Sequence, residues 1–143
     1  MATKTRNCAA VGSHMDATAI RDVAKRFIEA YRDSFRCGAS AIAEFYSEPC
    51  VTARMDSVRV NPTRKDTELL FAEVDKKYRA KGFTHGDILT LDIYPLGSKS
   101  AFATVRWAYK GADEKTLWET TFSYNLHCRD GTWKILVQTM HDS

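Results

Sequence analysis

The sequence contains no apolar run approaching the roughly 18–20 residues that a membrane-spanning helix requires. Residues 1–15 also lack the hydrophobic core of a secretory signal peptide. None of the four cysteines forms a C-x-x-C pair, and no histidine stands at metal-ligand spacing from them. We therefore expect no membrane partner and no metal site, and we expect the cysteines to act as small hydrophobes in a cytoplasmic protein.

Motifs of nucleotide binding and of common hydrolases are absent as well. There is no P-loop, no G-x-G-x-x-G, no G-x-S-x-G and no H-E-x-x-H. The formal net charge is +3, and the lysines and arginines are spread along the chain. So weak a charge does not predict nucleic-acid binding. We expect no cofactor and no nucleic-acid partner.

The chain of 143 residues is one domain by size, with 44% hydrophobic and 27% charged residues. Residues 12–15, Gly-Ser-His-Met, resemble the remnant of an expression vector, although a natural tail is the alternative. We therefore treat residues 1–15 as a tail or remnant and residues 16–143 as the folded domain.

Three helices are predicted before the pattern changes. The first runs from a cap at Asp16 or Thr18 to about Phe35, with one apolar stripe at helical spacing. A short second helix begins at Ser40, carries Ile42, Phe45 and Tyr46, and is closed by Pro49. Residues 50–60 indicate a short strand pair. A third helix follows over about residues 63–81, with a cap at Thr63.

After Gly82 the apolar period falls from 3.6 to 2. Four strands are predicted, separated by turns near residues 95–98 and 111–113 and by the hairpin signal Asp130-Gly131. This order indicates an α+β fold, in which three N-terminal helices cover one face of a curved antiparallel sheet. A ligand would bind between these two layers.

Three segments carry a resemblance to a known superfamily. They are the Val23-x3-Phe27-x3-Tyr31 helix, the segment from Ala43 to Pro49, and the ending from Arg129 to Ile135 followed by His141. From residue 16 onwards the chain resembles the nuclear-transport-factor-2-like (NTF2-like) superfamily, in particular a SnoaL-like or ketosteroid-isomerase-like bacterial branch without assigned chemistry. The resemblance implies a cone-shaped fold with a pocket.

The resemblance does not carry over the catalytic residues of well-known members. Matched by segment, the tyrosine, base and donor aspartate of ketosteroid isomerase fall on Phe27, near Arg54 and near Asn125. The Arg-x-Asp strand of limonene epoxide hydrolase corresponds here to Arg106-Trp107-Ala108. Neither catalytic set is present, so the resemblance predicts the fold better than the reaction.

Candidate site residues follow from the faces predicted to point inward. An aromatic wall for a flat apolar ligand would come from Phe27, Trp107, Tyr109, Trp118 and Phe122, with plain core packing as the alternative. Candidate acid–base groups are Tyr31, Tyr46, Tyr124, His141 and Asp56. For Asp56 the alternative is a solvent-facing salt bridge with Arg54, because Val51, Ala53 and Met55 look like the core side of their strand. For His141 the alternative is an exposed terminal histidine.

The sequence thus predicts that a small apolar molecule binds in a cavity of a few hundred Å³. A SnoaL-like isomerase, cyclase or dehydratase is one interpretation, and a non-catalytic binding or dimerisation module of the same fold is the other. The sequence does not decide whether the chain is an enzyme. We also expect a homodimer through the outer sheet face, which is polar but poor in lysine. The residues predicted to lie on that face are Thr104, Arg106, Glu119, Thr121, Ser123, Asn125 and His127.

Overall fold

A computed structural model describes residues 15–142, and most of the predicted tail of residues 1–15 lies outside this part of the chain. The described residues form three helices and six strands. Their bounds are α1 Ala17–Ser34, α2 Ala39–Ala43, β1 Tyr46–Arg54, β2 Ser57–Asn61, α3 Arg64–Ala80, β3 His85–Leu96, β4 Ser100–Lys110, β5 Thr116–Arg129 and β6 Thr132–Met140.

Side-chain caps start the two long helices. The Asp16 carboxylate accepts from the backbone N–H of Ala19, which begins α1. Thr63 and Asp66 form a reciprocal capping box at the start of α3. Each cap satisfies N–H groups that have no partner inside the helix. The sequence predicted both helices with nearly these bounds.

The second helix is shorter than predicted. It ends at Ala43, and Tyr46 begins strand β1 instead of continuing a helix to Pro49. Tyr46 pairs with Ile135 of β6, and the Ile135 N–H donates to the carbonyl oxygen of Phe45. Sheet pairing with a segment about 90 residues away therefore overrides the local helical pattern. The local sequence does not show this, because the pairing partner is distant along the chain.

All six strands belong to one sheet in the order β2-β1-β6-β5-β4-β3. The meander from β3 to β6 and the β1–β2 hairpin are antiparallel, as expected. The β1–β6 pair is parallel, and it adds a parallel pairing that the sequence did not predict to the antiparallel meander that it did. In chain order, helix α3 lies between β2 and β3, so it follows the first two strands.

The core lies between the helices and the inner face of the sheet. Helix α1 packs along β3 and β4, and α3 packs on α2 and β1. Ile20, Phe27 and Tyr31 from α1 and Leu70 and Phe71 from α3 are buried in this layer. Among residues 15–142, the helices therefore cover one face of the sheet and leave the other face uncovered.

The faces of β1 are the reverse of the sequence prediction. Cys50 and Thr52 are 2% and 1% exposed, whereas Met55, assigned to the core, is 68% exposed. Small inward side chains suit the close approach of α3, where Cys50 Sγ lies 3.3 Å from Thr67 Oγ1. The reversal turns Arg54 inward, whereas the sequence predicted that it faces solvent.

Two smaller expectations also change. Cys37 and Cys50 are free thiols, but Cys128 is disulfide-bonded, so the cysteines are not all unpaired hydrophobes. Met15, assigned to the tail, packs partly against the core. Within residues 15–142, no helix is both long and apolar enough to cross a membrane.

Candidate functional site

An inner cavity opens between the end of α1, the second half of α3 and the sheet. Its enclosed part has a volume of about 20 Å³, and the space free of protein atoms reaches about 380 Å³ when the open mouth is included. The lining residues are Arg32, Phe35, Arg54, Phe71, Val74, Tyr78, Phe83, Gly86, Trp107, Tyr109 and Phe122. The enclosed space holds about one water molecule. The expectation of a cavity of a few hundred Å³ is therefore wrong, because aromatic rings fill most of the space between the helices and the sheet.

Arg54 places a positive charge in this cavity. Its Nη1 donates to Oε1 of Gln138 at 3.2 Å, and its Nη2 donates to the Tyr78 hydroxyl at 3.1 Å. The guanidinium carbon lies 5.2 Å from the centre of the Phe122 ring, over its face. The arrangement holds the guanidinium with two neutral acceptors and one aromatic ring.

A hydrogen-bonded chain continues inward from Arg54. Gln138 Nε2 donates to the Tyr46 hydroxyl at 2.9 Å, and the hydroxyls of Tyr46 and Tyr31 are 2.6 Å apart. Gln138 is 2% exposed, so both ends of its amide are satisfied inside the protein. The chain couples the orientation of Arg54 to two buried phenols.

The cavity lining contains two arginines and no acidic residue. Arg32, at the mouth, is paired with Asp33, with its Nε 2.9 Å from the carboxylate. Arg54 has no carboxylate within salt-bridge distance among residues 15–142. The interior of the cavity is consequently a positive site within an aromatic wall.

The buried phenols of this region are held neutral. Burial is the main cause that raises the pKa of Tyr31, Tyr46 and Tyr124 well above the usual value, and it raises the pKa of Tyr109 as well. Burial lowers the pKa of Arg54, but the nearby phenols of Tyr78, Tyr46 and Tyr31 raise it, and the net direction is upward. At neutral pH the site therefore carries one cation and neutral hydroxyls.

The predicted aromatic wall divides into three groups. Trp107, Tyr109 and Phe122 line the cavity. Trp118 does not; it packs at a tilt against Tyr109, with ring centres 4.8 Å apart, and Lys81 lies over its face. Phe27 is fully buried and packs edge-on against Phe45 in the core.

The structure brings together three of the five predicted acid–base residues and leaves His141 and Asp56 apart from them. Tyr31, Tyr46 and Tyr124 lie close to one another in the core behind the cavity, where Tyr124 accepts from Trp107 Nε1 at 3.0 Å. His141 is exposed and contacts Ser123, on the outer face. Asp56 is exposed in the β1–β2 turn.

The arginine in the cavity and the two side chains that hold it were not among the candidates: Arg54, Tyr78 and Gln138. Tyr78 was predicted to point inward from α3, but only as core. Arg54 was assigned to solvent through the reversed face of β1. Gln138 gave no signal in the sequence, because a lone glutamine in a strand is typical of an exposed position.

A larger open groove, of about 490 Å³, lies elsewhere on the surface near the β5–β6 hairpin. Several of its charged groups pair with one another: Arg64 pairs with Glu44 and donates its backbone N–H to Glu48, and Lys134 donates to the Glu44 carbonyl oxygen. Arg129 and Asp130 are exposed to solvent. Because the inner cavity holds an inward-facing charge within an aromatic lining, we take it as the candidate site.

The remaining polar groups of interest are His85 and the side chains that could bind a metal ion. His85 is buried, with Nδ1 2.7 Å from Thr84 Oγ1 and Nε2 3.1 Å from Glu114 Oε1. Within residues 15–142, no group of three or more His, Cys, Asp or Glu side chains is placed to hold a metal ion.

Solved structures with the same architecture span many sources. A domain of unknown function with a cystatin-like fold from Nostoc punctiforme has a TM-score of 0.70 at 15% identity, over 90% of this chain and 80% of that one. An NTF2-like protein of unknown function from Shewanella oneidensis has a TM-score of 0.67 at 18% identity, over 86% and 99%. The yeast UBP3-associated protein BRE5 has a TM-score of 0.70 at 16% identity, over 85% and 95%. At these identities the likeness shows the fold alone.

The comparison with curated proteins finds no match. The family described as NTF2-like protein (DUF6841) matches residues 17–143, which is nearly the whole chain. The three helices and the curved six-stranded sheet are the architecture expected of such a protein. The chain belongs to the NTF2-like family DUF6841.

Proposed function

We propose that this chain binds a small, largely apolar molecule in the inner cavity and acts as a binding module. The observation that carries the proposal is the lining, in which Phe35, Phe71 and Trp107 surround a single inward-facing guanidinium from Arg54. Concave aromatic walls with a few convergent polar groups are typical of small-ligand sites. The enclosed space is small, so a ligand has to enter from the open mouth and displace lining side chains.

The alternative, a SnoaL-like or ketosteroid-isomerase-like isomerase, cyclase or dehydratase, finds less support. Such a reaction needs a group that exchanges protons near neutral pH. The cavity lining, as far as the structure describes the chain, has no carboxylate and no imidazole. Its phenol at Tyr109 is held neutral by burial. The bacterial branch stays a prediction from the sequence. So does the cytoplasmic location.

Binding is tested with single-ring probes. We expect toluene or benzoate, at millimolar concentration, to shift the indole N–H resonance of Trp107 in ¹H–¹⁵N spectra. A cavity-filling Val74→Phe variant should remove the response, since Val74 lines the cavity and is nearly buried. Leu69→Phe is the matched control, because Leu69 lies on the same helix but is 56% exposed. Unchanged spectra with both probes would contradict the proposal.

We also propose that the chain forms a homodimer through its outer sheet face. Strand pairing places one row of residues side by side across this face: Tyr94, Phe102, Asn125, Val137, Val51 and Val60. Tyr94, Phe102 and Val60 are 70%, 46% and 65% exposed. A bare row of this kind is typical of a protein contact surface. It adds apolar residues to the polar set that was expected from the sequence.

Phe102→Asp should convert the dimer to a monomer, because it introduces a charge in the middle of this row. Sedimentation velocity at micromolar concentration measures the change. Leu69→Asp, on the helical side, should leave the dimer intact. A wild-type protein that sediments as a monomer, or a Phe102→Asp variant that still sediments as a dimer, would rule out this interface.

A further inference from the structure

The Arg54 guanidinium has unused hydrogen-bonding capacity. An arginine side chain carries five N–H donors. Two of them are used, by Gln138 and Tyr78, and both acceptors are neutral. In the described part of the chain, Arg32, Arg64, Arg79 and Arg106 each pair with a carboxylate, but Arg54 does not.

An inward-facing cation without a counter-ion is costly, because burial removes the water that would otherwise solvate it. A structural role alone would be served by an apolar side chain of similar length or by a nearby acid. The protein holds the charge in place through Gln138 and Tyr78, so its orientation is defined. These features are those of a group arranged to meet a negative charge that arrives from outside.

We propose that the molecule bound in the inner cavity carries a carboxylate, which pairs with the Arg54 guanidinium while its apolar body packs against the aromatic lining. This inference rests on the proposed function and deepens it. A carboxylate matches the planar fork of a guanidinium with two parallel hydrogen bonds. The guanidinium carbon lies 5.2 Å from the centre of the Phe122 ring. The bonds to Gln138 and Tyr78 use two of the five N–H groups, which leaves three for an incoming group.

The lining also argues against a phosphate dianion. Only one unpaired cation lies in the described cavity, and its other walls are mostly aromatic and aliphatic. One guanidinium neutralises a single charge, and an apolar wall does not solvate a second one. A monoanion with a flat apolar body fits both the charge and the shape.

Benzoate and benzamide provide the direct test, since they have nearly the same shape and differ in charge. We expect the wild-type protein to bind benzoate at least about tenfold more tightly than benzamide, as hydrogen bonds to a charged partner are the stronger ones. Titration followed by the Trp107 indole resonance measures both dissociation constants. Equal affinities for the two compounds would overturn the inference.

Two variants and one control assign the preference to Arg54. Arg54→Gln removes the charge and should abolish the preference for benzoate. Gln138→Glu supplies an internal carboxylate at the position that already contacts Nη1 of Arg54. This carboxylate should weaken the binding of benzoate, because it competes for the guanidinium. Arg106→Gln removes an arginine from the outer face, where it pairs with Glu119. This variant should leave the affinities for benzoate and benzamide unchanged. Far-UV circular dichroism checks that each variant is folded.

The outcomes separate this inference from the proposed function. Binding of toluene and benzamide as tight as that of benzoate would keep the proposed function and overturn the carboxylate assignment. A preference for benzoate that persists in Arg54→Gln would also overturn it. No binding of any of the three compounds would remove the proposed function together with the inference.

Discussion

Replacing Trp107 with alanine is expected to lower the free energy of unfolding by about 3–5 kcal/mol. Trp107 is 4% exposed, and its Nε1 donates to the Tyr124 hydroxyl at 3.0 Å. Its ring also lies edge-on to Tyr31, with ring centres 6.3 Å apart. Truncation therefore leaves a cavity and removes the donor to a buried phenol. Urea denaturation followed by circular dichroism measures the loss.

Trp118→Ala is the matched control on the neighbouring strand. Trp118 is half-buried, and it lies outside the cavity in contact with Tyr78, Tyr109 and the Lys81 ammonium. We expect a smaller loss of stability for this variant, because solvent already reaches part of the ring. Losses of equal size for the two tryptophans would contradict the difference in packing described above.

The stability of the protein is expected to fall steeply above about pH 10. Burial raises the pKa of four tyrosines: Tyr31, Tyr46, Tyr109 and Tyr124. In the unfolded chain these phenols have a pKa of about 10. The unfolded state therefore loses their protons first, and the stabilising effect, complete below that pH, is lost as the pH rises.

The slope of the unfolding free energy against pH follows from the difference in bound protons between the folded and unfolded states. Each such phenol contributes about 1.4 kcal/mol per pH unit once it is ionised only in the unfolded state, so the four together contribute roughly 5 kcal/mol per unit. Domains of this kind have about 5–15 kcal/mol of stability in total. We therefore expect unfolding within roughly one to three pH units above pH 10. Urea titrations at a series of alkaline pH values measure this slope.

Two tyrosine variants test the assignment. Tyr124→Phe should reduce the slope by about 1.4 kcal/mol per pH unit, because one of the four phenols is removed. Tyr94→Phe should leave it unchanged, since Tyr94 is 70% exposed. Lysines that titrate in the same range are common to both variants. An unchanged slope in Tyr124→Phe would show that this phenol ionises in the folded protein.

The inward faces of the long strands were predictable, and that of β1 was not. In β4, Ala101, Ala103 and Val105 alternate with Phe102, Thr104 and Arg106, and the first three are buried as predicted. In β1 the buried side chains are Cys50 and Thr52, and the apolar Val51 faces outward. Alternation indicates two faces, but it identifies the buried one only when polarity differs clearly between them.

The sequence by itself determined the α+β class, the helix caps and the strand meander, because these depend on local periodicity and on capping side chains. Only the tertiary structure decided the parallel β1–β6 pairing and, through it, the position of Arg54 beside Gln138 and Tyr78. These three residues are separated by up to 84 positions along the chain. No local pattern encodes their meeting, since it arises from the packing of α3 and of two distant strands around one cavity.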